Sequence, residues 1–174
     1  MPMNVVLIGY RGTGKTTVAQ QLALRLGWDW VDADVEIELR AGKSIAAIFA
    51  DEGEPAFRDL ESQVLAETIG RERIVLAAGG GVVLREENRQ LLRTAGKVVW
   101  LTADVATILA RVAADQTTAI RRPPLTTAGG EAEVRQLLAQ RTPLYRQVAD
   151  LEIDTEGRSP AEIVEEIIKV ISAK

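Results

Sequence analysis

Gly9-Tyr10-Arg11-Gly12-Thr13-Gly14-Lys15-Thr16 satisfies G-x-x-x-x-G-K-[ST], a spacing suited to holding the phosphates of a nucleotide. Glycines let successive backbone N–H groups curl around phosphate oxygens, and a helix that starts there points its positive end at the same anion. Lys15 would reach the β- and γ-phosphates, and the Thr16 hydroxyl would ligate Mg²⁺. A dinucleotide-binding G-x-G-x-x-G is excluded, because a frame begun at Gly12 and Gly14 needs its last glycine where Thr17 stands.

Other residues downstream could complete a reaction. Asp32 and Asp34 lie two positions apart at the end of an apolar stretch. In extended chain their carboxylates would face one side at the carboxyl end of a strand, where open α/β sheets collect ligands. Phosphoryl transfer passes through a loose transition state, so a base need only orient the acceptor hydroxyl, a task that suits Asp34. A competing reading makes Asp34 a helix cap and Asp32 a solvated turn residue. Ala78-Gly79-Gly80-Gly81 is either a tight turn or a backbone that a ligand approaches closely. Arg141 falls in the apolar series of Val134, Leu137, Leu138, Leu144 and Tyr145; a charge there needs an anion, supplied by a ligand or by the protein. Arg121-Arg122-Pro123-Pro124 lies in an aperiodic stretch from about 113 to 130. Its length suits an active-site lid, and Arg122 could cover a transferring phosphate on closure.

Composition narrows the chemistry. The 174 residues include neither cysteine nor histidine, so a general base must be Asp, Glu, Lys or Tyr, and disulfide, zinc-thiolate and Ser-His chemistry are excluded. A formal charge of −4 argues against a nucleic-acid or anionic-membrane surface. With no signal-peptide pattern and no run of membrane-spanning length, a cytoplasmic protein is expected.

The elements that must position these residues follow from periodicity. Val5 to Ile8 is a continuous apolar strand, and Val18, Ala19, Leu22, Ala23 and Leu26 recur at helical spacing after the phosphate loop. Further strands are read at Trp28 to Asp32, Arg73 to Ala77, Val98 to Leu101 and Leu151 to Ile153. Between them run helical segments. One spans Val35 to Ala41, and one is capped by Ser44. Pro55 opens another, Glu86 to Ala95 forms the next, and one starts near Asp104. In the helix carrying Arg141, Pro143 is expected to kink or end it. Ser159-Pro160-Ala161-Glu162 is a capping box opening the last helix. Strands alternating with helices predict one α/β domain with a parallel sheet of five strands and helices on both faces.

As an ordered set, these residues resemble the shikimate kinases, small P-loop kinases of the nucleoside-monophosphate-kinase-like type. The resemblance covers nearly the whole chain. It takes in Gly9 to Thr16, Asp32-x-Asp34, Ile37-Glu38, Gly42-x-Ser44-Ile45, Ile48-Phe49 and Gly53-Glu54-x-x-Phe57-Arg58-x-x-Glu61, then Gly79-Gly80-Gly81, Arg122-Pro123 and Arg141-x-Pro143-x-Tyr145. It implies ATP-dependent phosphorylation of the shikimate 3-hydroxyl to give shikimate 3-phosphate and ADP, and a three-layer α/β/α fold of strand order 2-3-1-4-5. Within the single domain of 1–174 it implies a substrate-binding helical region at about 33–61 and a lid at about 113–130. Carried over by position, Asp34 holds the acceptor hydroxyl. Arg58, Arg141 and the Gly79-Gly80-Gly81 backbone bind the acid, and Phe49, Phe57 and Glu61 shape or brace that pocket. Thr16 and Asp32 hold Mg²⁺. Gly12, Thr13, Gly14, Lys15, Thr16 and Thr17 hold the phosphates, with Arg122 approaching them, while Arg111, Arg158 and Pro160 flank adenine. Two guanidinium groups suit a carboxylate substrate, because their planar forks bind it with bidentate geometry.

The chain departs from the family at Ala77-Ala78-Gly79, where a Thr is common before the glycines, at Pro124, where Leu is usual, and in a longer interval from Arg111 to Arg122. A monomer is expected. Alternative readings are a related kinase of gluconate type and a non-catalytic ATP-binding regulatory protein.

Overall fold

The computed structural model describes residues 3–114 and 130–173. Arg122 and most of the expected lid lie outside the described residues. Strand β1 (Val5–Ile8) occupies the middle of a five-stranded parallel sheet of order β2-β3-β1-β4-β5. It is buried at every position, which is why its sequence is uninterruptedly apolar rather than alternating. Val6 and Ile8 face one helical layer and Val5 and Leu7 the other, as the two-residue period of a strand requires.

Chain order around β1 sets the site. From β1 the chain passes through α1 (Lys15–Leu26) to the edge strand β2 (Asp29–Asp32). It returns through α2 (Ala33–Ala41), α3 (Ile45–Glu52) and α4 (Glu54–Ile69) to β3 (Ile74–Ala77) beside β1. It then continues through α5 (Glu86–Thr94) to β4 (Lys97–Thr102) on the other side of β1. Helices α6 (Val105–Ala114) and α7 (Gly130–Val148) precede the edge strand β5 (Leu151–Asp154), and α8 (Pro160–Ser172) closes the chain. The carboxyl end of β1 therefore lies where the strand order reverses, the usual place for a ligand in an open parallel sheet. Eight helices flank the sheet among the described residues.

Local chemistry sets most boundaries. Gly27 and Gly42 adopt left-handed conformations that stop α1 and α2. The Ser44 side chain accepts from the Ala47 N–H, Pro55 stands in the first turn of α4, and the capping box of Ser159 and Glu162 is complete.

Two expectations require correction. Asp32 and Asp34 do not share one face of an extended strand, because α2 begins at Ala33 and places Asp34 in its first turn. The Asp32 carboxylate accepts from the N–H groups of Asp34 and Val35; satisfying those unpaired helix donors makes Asp32 an N-cap and draws the helix up to the strand's end. Pro143 does not end its helix either, since α7 continues to Val148. The carbonyl deprived of its partner belongs to Ala139, which like Pro143 is exposed, so water can satisfy it. Buried Arg141, Tyr145 and Val148 hold the helix to the core on both sides of the proline.

Candidate active site

The phosphate loop starts with a backbone that only glycine tolerates. Gly9 has φ 139°, and a Cβ there would stand 2.4 Å from the Leu101 carbonyl oxygen. The loop therefore passes directly over the end of β4. Gly14, at φ 92°, starts α1, so the helix's positive end faces the loop's concavity. Lys15 Nζ donates to the carbonyls of Gly9 and Tyr10 at 2.7 and 2.9 Å, which holds its charge across the loop mouth. Thr13 Oγ1 donates to the Tyr10 carbonyl at 2.8 Å.

Thr16, in the first turn of α1, and Asp32, at the end of β2, come together, with Thr16 Oγ1 donating to Asp32 Oδ2 at 3.1 Å. Among the described residues no cluster of three or more Asp or Glu forms a metal cage. A hydroxyl and a single carboxylate beside a phosphate loop are nonetheless the donor set that Mg²⁺ takes when substrate phosphates and water complete its shell. These two residues fit the ion.

Opposite the loop mouth, Thr13, Gly14, Thr17, Arg111, Arg158 and Pro160 line one cleft of about 250 Å³. The expected adenine-flanking residues are thus gathered next to the phosphate cradle. Arg111 also holds that cradle in place, for its Nη1 donates to the Gly12 carbonyl at 3.0 Å.

The acid-binding expectations meet on the other side of β1. Register pairs Asp32 with Ala77, so the first turn of α2, where Asp34 is half-buried, and the glycine turn follow paired ends of neighbouring strands. Arg58 is 5% exposed. Its Nη1 donates to Glu61 at 2.9 Å and its Nη2 to Glu54 at 3.2 Å, and its guanidinium lies over the Phe57 ring at 5.0 Å. Phe49 and Phe57 meet at a tilt of 39° with ring centres 5.0 Å apart. A Cβ at Gly81 would lie 2.3 Å from Arg58 Nη1. A Cβ at Gly80 would lie 3.3 Å from Arg141 Nη1. The glycine run is therefore a turn whose backbone admits two guanidinium groups of the protein itself.

Arg141 is 4% exposed, and its Nε has no hydrogen-bond partner among the described residues. A buried donor left in this way costs about 1–3 kcal/mol, and an anion entering the site would remove that cost. The structure adds a residue that sequence reasoning left without a role. Tyr145, one turn beyond Arg141, donates its hydroxyl to the Gly80 carbonyl at 2.5 Å. Burial pushes its phenol up to about 12, against the opposing pull of the Arg141 guanidinium, so it remains a neutral donor. The signal was its i+4 spacing from Arg141 on a helix.

No helix among the described residues is long and apolar enough to cross a membrane. Comparison with known proteins gives a consistent result. The family model described as shikimate kinase matches residues 11–172. A shikimate kinase of Rhodopirellula baltica is 48% identical over 168 residues, covering 97% of this chain and 90% of the relative. One from Pseudomonas putida is 45% identical, covering 95% of this chain and 94% of the relative. The solved shikimate kinase of Acinetobacter baumannii in complex with shikimate superposes with TM-score 0.90 at 39% identity, covering 98% of this chain and 93% of that one.

Proposed function

The chain belongs to the shikimate kinase family, and we infer from its site that it transfers the γ-phosphoryl group of ATP to the 3-hydroxyl of shikimate, a step of chorismate and aromatic amino-acid synthesis. The observation that carries this reading is the convergence of buried Arg58 and Arg141 on Gly80 and Gly81, beside the phosphate loop. Such a pocket suits an anionic acceptor, and paired guanidinium groups suit a carboxylate.

The roles follow from charge and position. Gly12 to Thr17 hold the phosphates through backbone N–H groups, and Lys15 exchanges its carbonyl partners for phosphate oxygens as charge develops there. Thr16 and Asp32 hold Mg²⁺, which when bound neutralises phosphate charge. Asp34, in the first turn of α2, orients the 3-hydroxyl and accepts its proton as the new P–O bond forms and ADP leaves. Arg58 and Arg141 bind the carboxylate with the Gly79-Gly80-Gly81 backbone, Glu61 holds the Arg58 fork in place, and Phe49 and Phe57 wall the pocket. Arg111, Arg158 and Pro160 flank adenine. Arg122, outside the described residues, is proposed to approach the phosphates from the lid. The helices within about 33–61 form the substrate-binding region of a single domain. A monomeric enzyme is proposed, and the acidic, cysteine-free composition supports a cytoplasmic one.

The gluconate-type alternative is not favoured, since family membership and the paired arginines both point to shikimate. A non-catalytic regulator is disfavoured by the retention of Lys15, Thr16, Asp32 and Asp34. ADP release measured with ATP, Mg²⁺ and either shikimate or gluconate tests the reading. Turnover is expected with shikimate alone. Turnover with gluconate only, or ATP binding without turnover on either acid, would overturn it.

A further inference from the structure

Helix α7 presents four residues at successive four-residue intervals, Glu133, Leu137, Arg141 and Tyr145, and all four are buried. That spacing places them in one row along the helix, and each meets a fixed point at the carboxyl end of the sheet. Glu133 Oε2 lies 3.5 Å from Arg11 Nη2. Leu137 packs with Tyr10. Arg141 lies against Gly80, whose carbonyl holds the Tyr145 hydroxyl. Arg11 and Tyr10 belong to the phosphate loop, so the row spans from the nucleotide side to the acid side of the site.

On the reading that Arg141 binds the acceptor's carboxylate, we propose that Arg11 and Glu133 are a positioning pair that sets the register of α7 against the phosphate loop and thereby places Arg141. The Tyr145 anchor alone does not fix Arg141, because Pro143 stands between them and removes one backbone hydrogen bond of the helix. Buried Val134, Leu137 and Arg141 hold the part of α7 before the proline to the core, and its register needs a polar tether of its own. Glu133 supplies it from the first turn, where a carboxylate side chain suits the helix's positive end. The Glu133 side chain is 4% exposed and that of Arg11 25%, so the pair is shielded from the solvent screening that weakens surface ion pairs. Arg141 stands eight residues beyond Glu133, about 12 Å along the axis, and a slip of one turn would displace its fork by about 5 Å. Bidentate recognition of a carboxylate does not survive such a shift.

The test is a double-mutant cycle on the full chain with Arg11→Met, Glu133→Gln and the two combined, assayed on shikimate and on shikimate carboxamide. Each single change is expected to raise KM for shikimate about tenfold while kcat and KM for ATP stay within about threefold. The combined variant should be no worse than the worse single one. The preference for acid over amide should collapse in all three, although neither residue is assigned to the acid. Arg11→Lys, which keeps the charge, should retain most of that preference. Additive KM effects with an unchanged acid-over-amide preference would overturn the proposal, as would an increase confined to KM for ATP. If Glu133→Gln does not fold, Arg11→Met against Arg11→Lys carries the same readout from the loop side. Failure of the wild type to use shikimate would instead refute the functional reading on which the pair rests.

Discussion

The two ends of the sheet bury polar side chains in opposite ways. At the amino end, Asn4 donates to the carbonyls of Ile69 and Arg71 at 3.2 and 2.8 Å and accepts from the Ile74 N–H at 3.1 Å. Its own carbonyl takes the Lys97 N–H at 2.9 Å. One residue thus ties β1 to the backbones on either side, and its side-chain groups are all used within the protein. At the carboxyl end, by contrast, Arg141 Nε and the Tyr10 hydroxyl are buried without a hydrogen-bond partner among the described residues. The same degree of burial is a closed structural joint at one end, while at the other it leaves two polar atoms unpartnered beside the proposed acid site. Unsatisfied groups are tolerated where a substrate completes them.

That contrast is sharpest where chemistry is proposed. Asp34→Asn keeps the shape of the first turn of α2 but removes the carboxylate, so kcat should fall by roughly 10² to 10⁴. ATP affinity, measured by titration, should barely change; a matching loss of ATP binding would move Asp34 into the nucleotide site. Lys15→Ala should lower turnover on the order of a hundredfold or more, the equivalent of about 3 kcal/mol. Its fold should be retained, because the ammonium acts on loop carbonyls and not on the core. Near-normal turnover would contradict the role assigned to the loop. Asn4→Ala should show the reverse pattern. Denaturant unfolding should report a loss of about 2 to 4 kcal/mol from stranded backbone groups, with kcat/KM unchanged below the unfolding transition.

Much of this arrangement was legible from residues alone. The apolar run Val5 to Ile8 and the G-x-x-x-x-G-K-[ST] spacing establish strand, loop and helix at the site's centre, because each of those patterns has few physical solutions. Strand order was not readable from periodicity, which reports faces and not neighbours, and it came from resemblance to a family. Asp32 and Asp34 were recognised as a pair but given the wrong geometry, since an N-cap and a strand end use the same residue and only the fold shows which prevails. Pro143 argued for a kink or an end, and burial on both sides of it carries the helix past the proline. The bond from Tyr145 to Gly80 and the pair of Arg11 with Glu133 join residues far apart in sequence, and no local pattern encodes them.

The carboxyl end of the sheet is tested most directly at Arg141. Replacing Arg141 with Leu places an apolar side chain on a buried helix face, and both kcat/KM for shikimate and stability to denaturant would be measured on the same preparation. If the guanidinium awaits a substrate carboxylate, kcat/KM should fall by roughly 2 to 4 kcal/mol while stability and ATP affinity stay close to wild type. If it neutralises a buried protein carboxylate instead, stability would drop by about 3 to 5 kcal/mol, and that result would contradict the account.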